Sequence, residues 1–266
     1  MAGAFIYRAR TTGLKSGSCR GEAMRFISAE LSKTGGRDIN QDYCAFKSGN
    51  GSGIWIVADG LGGHRGGEVA SQSAVSAILE QWTPDLELTT QSMTNFAESA
   101  QSAILEQQQT SPRISSMRTT LVMLAAYSDE ALWAHVGDSR LYHFRDCAVV
   151  FQTRDHSVPQ TLVDAGEIKQ EQVRTHPDRN RILRAVGNPD GLKSAISDTP
   201  RKIRQGDVFL LCTDGFWEYI TETEMSVDLA KSVTPEEWLD RMEMRLLDRV
   251  PPDNDNYTAL AVFIVA

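Results

Sequence analysis

Four aspartates sit where apolar segments end, and their placement is the first sign of chemistry. Asp59 closes the run Ile54-Trp55-Ile56-Val57-Ala58, and Asp214 follows Val208-Phe209-Leu210-Leu211-Cys212-Thr213; each is followed directly by glycine, Gly60 and Gly215. A carboxylate at the mouth of a buried strand is costly to desolvate unless positive charge compensates it, so two of them imply a shared cation. Glycine beside a ligand lets backbone and metal approach closely, and its carbonyl is an oxygen donor. Asp138, in His135-Val136-Gly137-Asp138-Ser139-Arg140, is a third such acid, and Asp255, shortly before Ala259 to Val265, is a fourth. An all-oxygen donor set selects hard cations such as Mg2+ or Mn2+ over zinc. A single Asp-Gly reads as a turn; four acids at four strand ends are poorly explained that way.

The elements that must position these acids follow from periodicity. The run from Ile54 to Ala58 is a short, β-rich apolar segment and predicts a buried strand ending at Asp59. Val75, Ile78, Leu79 and Trp82 recur at helical spacing between Glu68 and Trp82, and Met93, Phe96, Ala97, Ala100 and Ile104 repeat the pattern. Short strands are predicted at 120–126, 131–136, 141–144 and 149–151, with turns at Ser128-Asp129 and Arg145-Asp146, as in an antiparallel meander. A polar, loop-rich stretch runs from Ser157 to Arg204. Strands from Val208 to Cys212 and from Ala259 to Val265 flank a helix from Pro235 to Leu247. Strands and helices in groups indicate an α+β class with packed sheets.

Bulk properties narrow the function classes. With 266 residues, 41% hydrophobic and 23% charged, the chain has the composition of a globular protein, and no linker divides it. The net charge of -8 argues against a general nucleic-acid binder, leaving room only for a local basic patch. Cys19, Cys44, Cys147 and Cys212 show no C-x-x-C spacing and read as buried free thiols of a reducing compartment. No apolar run approaches the ~20 residues of a membrane span, so a soluble, cytoplasmic protein is expected. Residues 1–23 carry Arg8, Arg10, Lys15 and Arg20 with no acid before Glu22, and read as a disordered extension ahead of one domain, 24–266.

The ordered runs Arg37-Asp38-Ile39-Asn40-Gln41-Asp42, Val57-Ala58-Asp59-Gly60-Leu61-Gly62-Gly63-His64, Thr119-Thr120-Leu121, Gly137-Asp138-Ser139-Arg140, Asp155-His156-Ser157, Thr213-Asp214-Gly215 and Asp255-Asn256-Tyr257-Thr258 resemble the motif set of the metal-dependent protein serine/threonine phosphatases of type 2C, in their bacterial form. The resemblance implies an antiparallel β-sandwich flanked by helices on both faces, in α-β-β-α layers. It implies that Asp59 bridges two ions, Mn2+ or Mg2+, that Asp214 and Asp255 complete the first and that the Gly60 carbonyl joins the second. Asp138 would bind a third, weaker ion, with Glu218 assisting. Asp59, Asp214 and Asp255 are thereby the catalytic set, and Arg37 grips the substrate phosphate, for which a planar guanidinium fork is suited. The implied substrates are phosphorylated proteins, the implied partner a Ser/Thr kinase or its targets, and the implied state a monomer. The stretch from Thr213 to Met225 faintly resembles phosphatases associated with type VI secretion.

The chain also departs from the pattern. Gln41 stands where many relatives have Glu, so a neutral amide replaces a carboxylate near the second metal. Leu61 stands where animal relatives carry a histidine proposed as general acid, and the later His64 does not inherit that role. His156 is adjacent to Asp155 and Ser157, a poor geometry for a relay, so a turn or helix start is expected there. His176-Pro177, Arg179, Asn180, Arg181 and Arg184 resemble the family's flap beside the active site. A dinucleotide-binding reading of Gly60 to Gly66 fails on spacing and on the lack of regular strand–helix alternation. The alternative that stays open is a non-catalytic phosphoprotein-binding module of the same fold.

Overall fold

The computed structural model describes residues 24–49, 51–62 and 66–265; the extension expected over residues 1–23, with Cys19, and also His64 lie outside the described residues. In chain order the elements are β1 (Arg25–Lys33), β2 (Asp42–Gly49), β3 (Ser52–Leu61), α1 (Gly66–Gln81), α2 (Thr90–Gln108), β4 (Arg118–Thr119), β5 (Leu121–Tyr127), β6 (Glu130–Val136), β7 (Arg140–Arg145), β8 (Ala148–Gln152), α3 (Val158–Asp164), β9 (Ala195–Ile196), β10 (Arg201–Lys202), β11 (Val208–Cys212), α4 (Asp214–Trp217), α5 (Glu222–Leu229), α6 (Pro235–Leu247) and β12 (Tyr257–Val265). They form two antiparallel sheets, one ordered β1-β12-β11-β7-β8 and one ordered β10-β6-β5-β3-β2, with β4 added to β3 and β9 to β6.

Period-two alternation assigns each strand two apolar faces, which is why these strands read as continuous apolar runs. On β3, Ile54, Ile56 and Ala58 join Val75 and Ile78 of α1 and Phe96 and Ile104 of α2 in one core. The alternate residues Trp55 and Val57 pack against Phe209, Leu211, Leu260 and Val262 of the other sheet. That sheet's outer face, including Tyr142, Leu210 and Ala261, is covered by Met225 of α5 and by Trp238 and Met242 of α6. The result is the expected α-β-β-α sandwich. No helix among the described residues is long and apolar enough to cross a membrane.

Three sequence expectations need correction. The predicted meander is two hairpins: β5–β6 belongs to one sheet and β7–β8 to the other. All four segments are apolar, so their pattern sets strand character without setting partners. The chain changes sheets at Gly137-Asp138-Ser139, with Gly137 at φ +100°. The strand expected to end at Asp59 continues to Leu61, because Gly60 and Leu61 pair with Thr119 and Arg118 of β4. Of the expected buried thiols, Cys212 is buried and Cys44 half-buried, whereas Cys147 is exposed on the β7–β8 turn, where it adopts φ 60° beside Asp146 at 52°. The helix expected over Pro235 to Leu247 has those limits; Thr234 caps it by accepting from the Glu237 N–H at 3.2 Å, with proline in the first turn.

Candidate active site

Arg37, Asp59, Gly60, Asp138, Asp214 and Asp255 line one cavity of about 390 Å3, with Gln41, Leu61, Asn180 and Ile182 among their neighbours; Glu218, expected to assist Asp138, is not among its lining residues. The first six come from five chain segments at one end of the sandwich. Asp59 and Gly60 lie near the end of β3, Asp138 on the crossover between sheets, Asp214 at the start of α4 after β11, Asp255 just before β12, and Arg37 on the β1–β2 loop. Asp59 is fixed through its backbone: its N–H donates to Thr120 Oγ1 at 3.0 Å, and its carbonyl accepts from Thr119 Oγ1 at 2.7 Å. The β1–β2 loop is clamped by Asn256, whose amide donates to the Thr34 and Ile39 carbonyls at 2.8 and 3.0 Å and accepts from the Gln41 N–H at 2.8 Å. Gly35 (φ +57°) permits this contact, since a Cβ there would lie 2.3 Å from the Asp255 carbonyl oxygen.

The electrostatics of the cavity are unfavourable for the protein alone. Burial pushes Asp59 well above the usual carboxylate range, and the nearby Asp42, Asp214, Asp138 and Asp255 push it further. Asp138 is raised in the same way by burial, Asp214 and Asp155. Burial, then Glu218 and Asp255, raise Asp214 to about 7. Asp42, behind them, is raised to about 7 by burial against the opposing hydrogen bonds of Thr213 and Thr258. Crowded, desolvated carboxylates call for cations. Arg37 supplies one, donating to Asp255 Oδ2 at 3.2 Å, but both side chains are about half exposed and the pair is weak. No three or more His, Cys, Asp or Glu side chains among the described residues close around one ion position on their own. The donors that line the cavity, four carboxylates and the Gly60 backbone, are oxygen donors of the kind that hard divalent ions take.

A family model for protein phosphatase 2C matches residues 32–250. The chain belongs to the protein phosphatase 2C family. It is 35% identical over 174 residues to the serine/threonine protein phosphatase PstP of Mycobacterium tuberculosis, a match that covers 65% of this chain and 33% of that protein. The chain thus spans about a third of the length of that relative. The crystal structure of the PstP catalytic domain in complex with two manganese ions superposes with a TM-score of 0.77 at 28% identity, covering 91% of this chain and all (100%) of that one. PppA of Pseudomonas aeruginosa, described as a key regulatory component of its type VI secretion system, superposes with a TM-score of 0.71 at 29% identity, covering 90% and 97%.

Against the protein phosphatase 2C pattern, Gln41 is an instructive departure. Its amide donates to the Gly62 carbonyl at 3.0 Å, and its backbone carbonyl accepts from Ser71 Oγ at 2.6 Å and from the Gly60 N–H at 3.1 Å. The residue ties the β3 end to α1 where a carboxylate would repel that carbonyl. His156 is no nucleophile partner: it stacks on His135 at 4.5 Å, accepts at Nδ1 from the Gly137 N–H at 3.2 Å, and precedes Ser157, the N-cap of α3. The basic segment expected as a flap is largely paired, Arg179 with Glu218 at 3.0 Å and Arg181 with Asp178 at 3.3 Å, while Asn180 and Ile182 reach the cavity wall. Asn256 and Trp217 carry no ionisable group and so gave no chemical signal in the sequence.

Gly60 is expected to tolerate no side chain. A Cβ there would lie 2.0 Å from the Gly67 carbonyl oxygen and 2.6 Å from that of Gln41, both backbone atoms. Gly60→Ala is expected to cost about 1–3 kcal/mol of stability and to weaken metal binding, read by thermal melts with and without Mn2+; an unchanged melting temperature would mean that the loop gives way freely.

Proposed function

We propose that this chain is a metal-dependent protein phosphatase that hydrolyses phosphoserine and phosphothreonine in proteins. The observation that carries the reading is the convergence of Asp59, Asp138, Asp214, Asp255 and Arg37 on one cavity. Asp59 would bridge two ions, with Asp214 and Asp255 on the first and the Gly60 carbonyl on the second, and Asp138 on a third, weaker one. Divalent ions held there would supply charge neutralisation for the phosphoryl oxygens and a water of lowered pKa for in-line attack. Arg37 binds and orients the phosphate by exchanging its weak pair with Asp255 for a bidentate contact with phosphoryl oxygens. Leu61 can neither give nor take a proton, so protonation of the departing seryl oxygen is assigned to the surroundings of Asp138. Mn2+ is the favoured ion, as in the PstP complex.

The physiological setting is proposed on the same basis: a soluble cytoplasmic monomer acting on phosphoproteins and opposing a Ser/Thr kinase or its targets. The likeness to PppA favours a role in regulating secretion. The rival reading, a phosphoprotein-binding module without catalysis, is disfavoured by the full acidic set. Turnover of p-nitrophenyl phosphate with Mn2+ that is lost in chelator separates the two, since a binding module turns over nothing in either condition.

Arg37→Ala is expected to raise KM for phosphopeptides roughly 10- to 100-fold, the worth of a charge-assisted contact, with Mn2+ binding retained. Unchanged KM would assign the phosphate to another residue. Asp138→Asn is expected to keep tight Mn2+ binding yet lose more turnover on phosphoserine peptide than on p-nitrophenyl phosphate, whose leaving group is a far weaker base. Equal losses on both substrates would leave Asp138 with a structural role.

A further inference from the structure

The crossover that carries Asp138 has no ladder of its own; beyond one main-chain bond, from the His156 N–H to the Gly137 carbonyl at 2.9 Å, its fixation comes from side chains. Gly137 donates to His156 Nδ1 at 3.2 Å, Ser139 Oγ meets Thr120 Oγ1 at 2.7 Å, and the Asp138 carbonyl accepts from the indole Nε1–H of Trp217 at 3.0 Å. Trp217, on α4 three residues after Asp214, is fully buried. Its ring carries the guanidinium of Arg140, 3.4 Å from the centroid. Arg140 is buried too, and is kept charged by a bidentate pair with Asp155 at 2.8 and 2.7 Å. From Arg140 the contacts run outward: Nη1 donates to the Tyr142 hydroxyl at 3.1 Å, that hydroxyl donates to Glu222 Oε1 at 3.2 Å, and the same oxygen accepts from Arg174 Nη2 at 2.6 Å. Arg174 also lies 5.6 Å from the Trp217 ring and belongs to the single 3-10 turn Gln170–Thr175 of the long polar segment.

A continuous polar chain therefore connects that segment to the backbone of Asp138 without passing through the cavity. Inside a protein such contacts are strong and sensitive to geometry, because no water replaces a partner that moves. We propose that Trp217 is a positioning residue for Asp138, and that the chain Arg174-Glu222-Tyr142-Arg140 makes the placement of the 170–175 turn felt at the weaker ion site. A displacement of this segment would then reach Asp138 through Glu222, Tyr142, Arg140 and Trp217. The proposal rests on the reading of Asp138 as the carboxylate of that weaker site.

The test is calorimetric titration of Mn2+ into the full chain, with circular dichroism as the control for folding. Trp217→Phe keeps an aromatic ring against Arg140 and deletes the N–H, together with part of the buried indole bicycle. It is expected to leave the tight sites unchanged and to weaken the weaker site roughly 10- to 100-fold, as the loss of a partner that orients a ligand does. Arg174→Gln, remote from the cavity, is expected to weaken the same site roughly two- to thirtyfold. The double variant is expected to lose less than the product of the two, because both act through one network. Multiplicative losses, or an unchanged weaker site in Trp217→Phe, would overturn the proposal, as would a wild type with tight sites and no weaker one; the phosphatase reading would survive each of these. A wild type that binds no Mn2+ would instead overturn that reading. Should Trp217→Phe fail to fold, Arg174→Gln decides alone, an unchanged weaker site overturning the proposal.

Discussion

Asp59→Asn and Asp214→Asn are each expected to lower kcat by roughly 10³-fold or more. Activating water from a pKa of 15.7 to about 7 spans about nine units, and forfeiting a third of that range already costs ~10³ in the population of nucleophile. Asn keeps the shape and one oxygen of each side chain but removes the charge that lets cations stay. The same substitutions should leave the fold intact. Both carboxylates are raised by burial and by their acidic neighbours, so in chelator they oppose folding near neutral pH. Each variant is therefore expected to melt at or above the wild-type temperature in EDTA, and to lose most of the stabilisation that Mn2+ gives the wild type. This pairing of lost activity with retained or improved stability is the mark of a site whose strain is functional. A variant within tenfold of wild-type kcat, with the same Mn2+ requirement, would remove its aspartate from the site.

The acids were legible because each interrupts an apolar run, and burial of charge is the feature sequence reports most plainly. Asp59, Asp138, Asp214 and Asp255 come from four segments, yet each was placed beside a strand boundary by local pattern alone, and Asp138, Asp214 and Asp255 do lie just outside strands, although β12 begins at Tyr257 and not at the expected Ala259. The exception, Asp59, fails for a physical reason: β3 is prolonged by pairing with β4, a partner about 58 residues away whose two residues carry no strand pattern of their own. The layering was legible through the resemblance, whereas apolarity alone joined β5 to β8 into one meander. Strands apolar on both faces fit either sheet, and the choice falls to Gly137 and its φ of +100°. Strand β1 was missed because Ser28 and Glu30 dilute its apolar alternation; Ser28 faces the core only to accept the Trp55 indole N–H at 2.7 Å. The support around Asp138 was illegible for another reason. Trp217, Arg140 and Glu222 meet through tertiary contacts between β7, α4 and α5, and no spacing in the chain encodes them.

Removal of divalent metal is expected to abolish turnover and to reverse the pH dependence of stability. Asp42 and Asp214 move from an ordinary value of 3.8 to about 7 in the folded protein, so between about pH 4 and pH 7 the native state holds protons that the unfolded chain has lost. With more protons bound in the native state, stability falls as pH rises through that window. In EDTA the melting temperature is therefore expected to decline from about pH 4 to pH 7. Bound Mn2+ requires the ionised carboxylates, so its binding releases these protons and its stabilisation grows with pH over the same range. At about 100-fold over Kd the gain is ~2.7 kcal/mol, worth about 5–10 °C in a domain of this size. Melts at pH 5, 6, 7 and 8, in EDTA and in excess Mn2+, measure both slopes, and calorimetry in two buffers of different ionisation enthalpy counts the protons released. A Mn2+ shift of equal size at pH 5 and pH 7.5, with no proton release, would mean that the ions bind away from these carboxylates, and full turnover after exhaustive chelation would end the metal-dependent reading altogether.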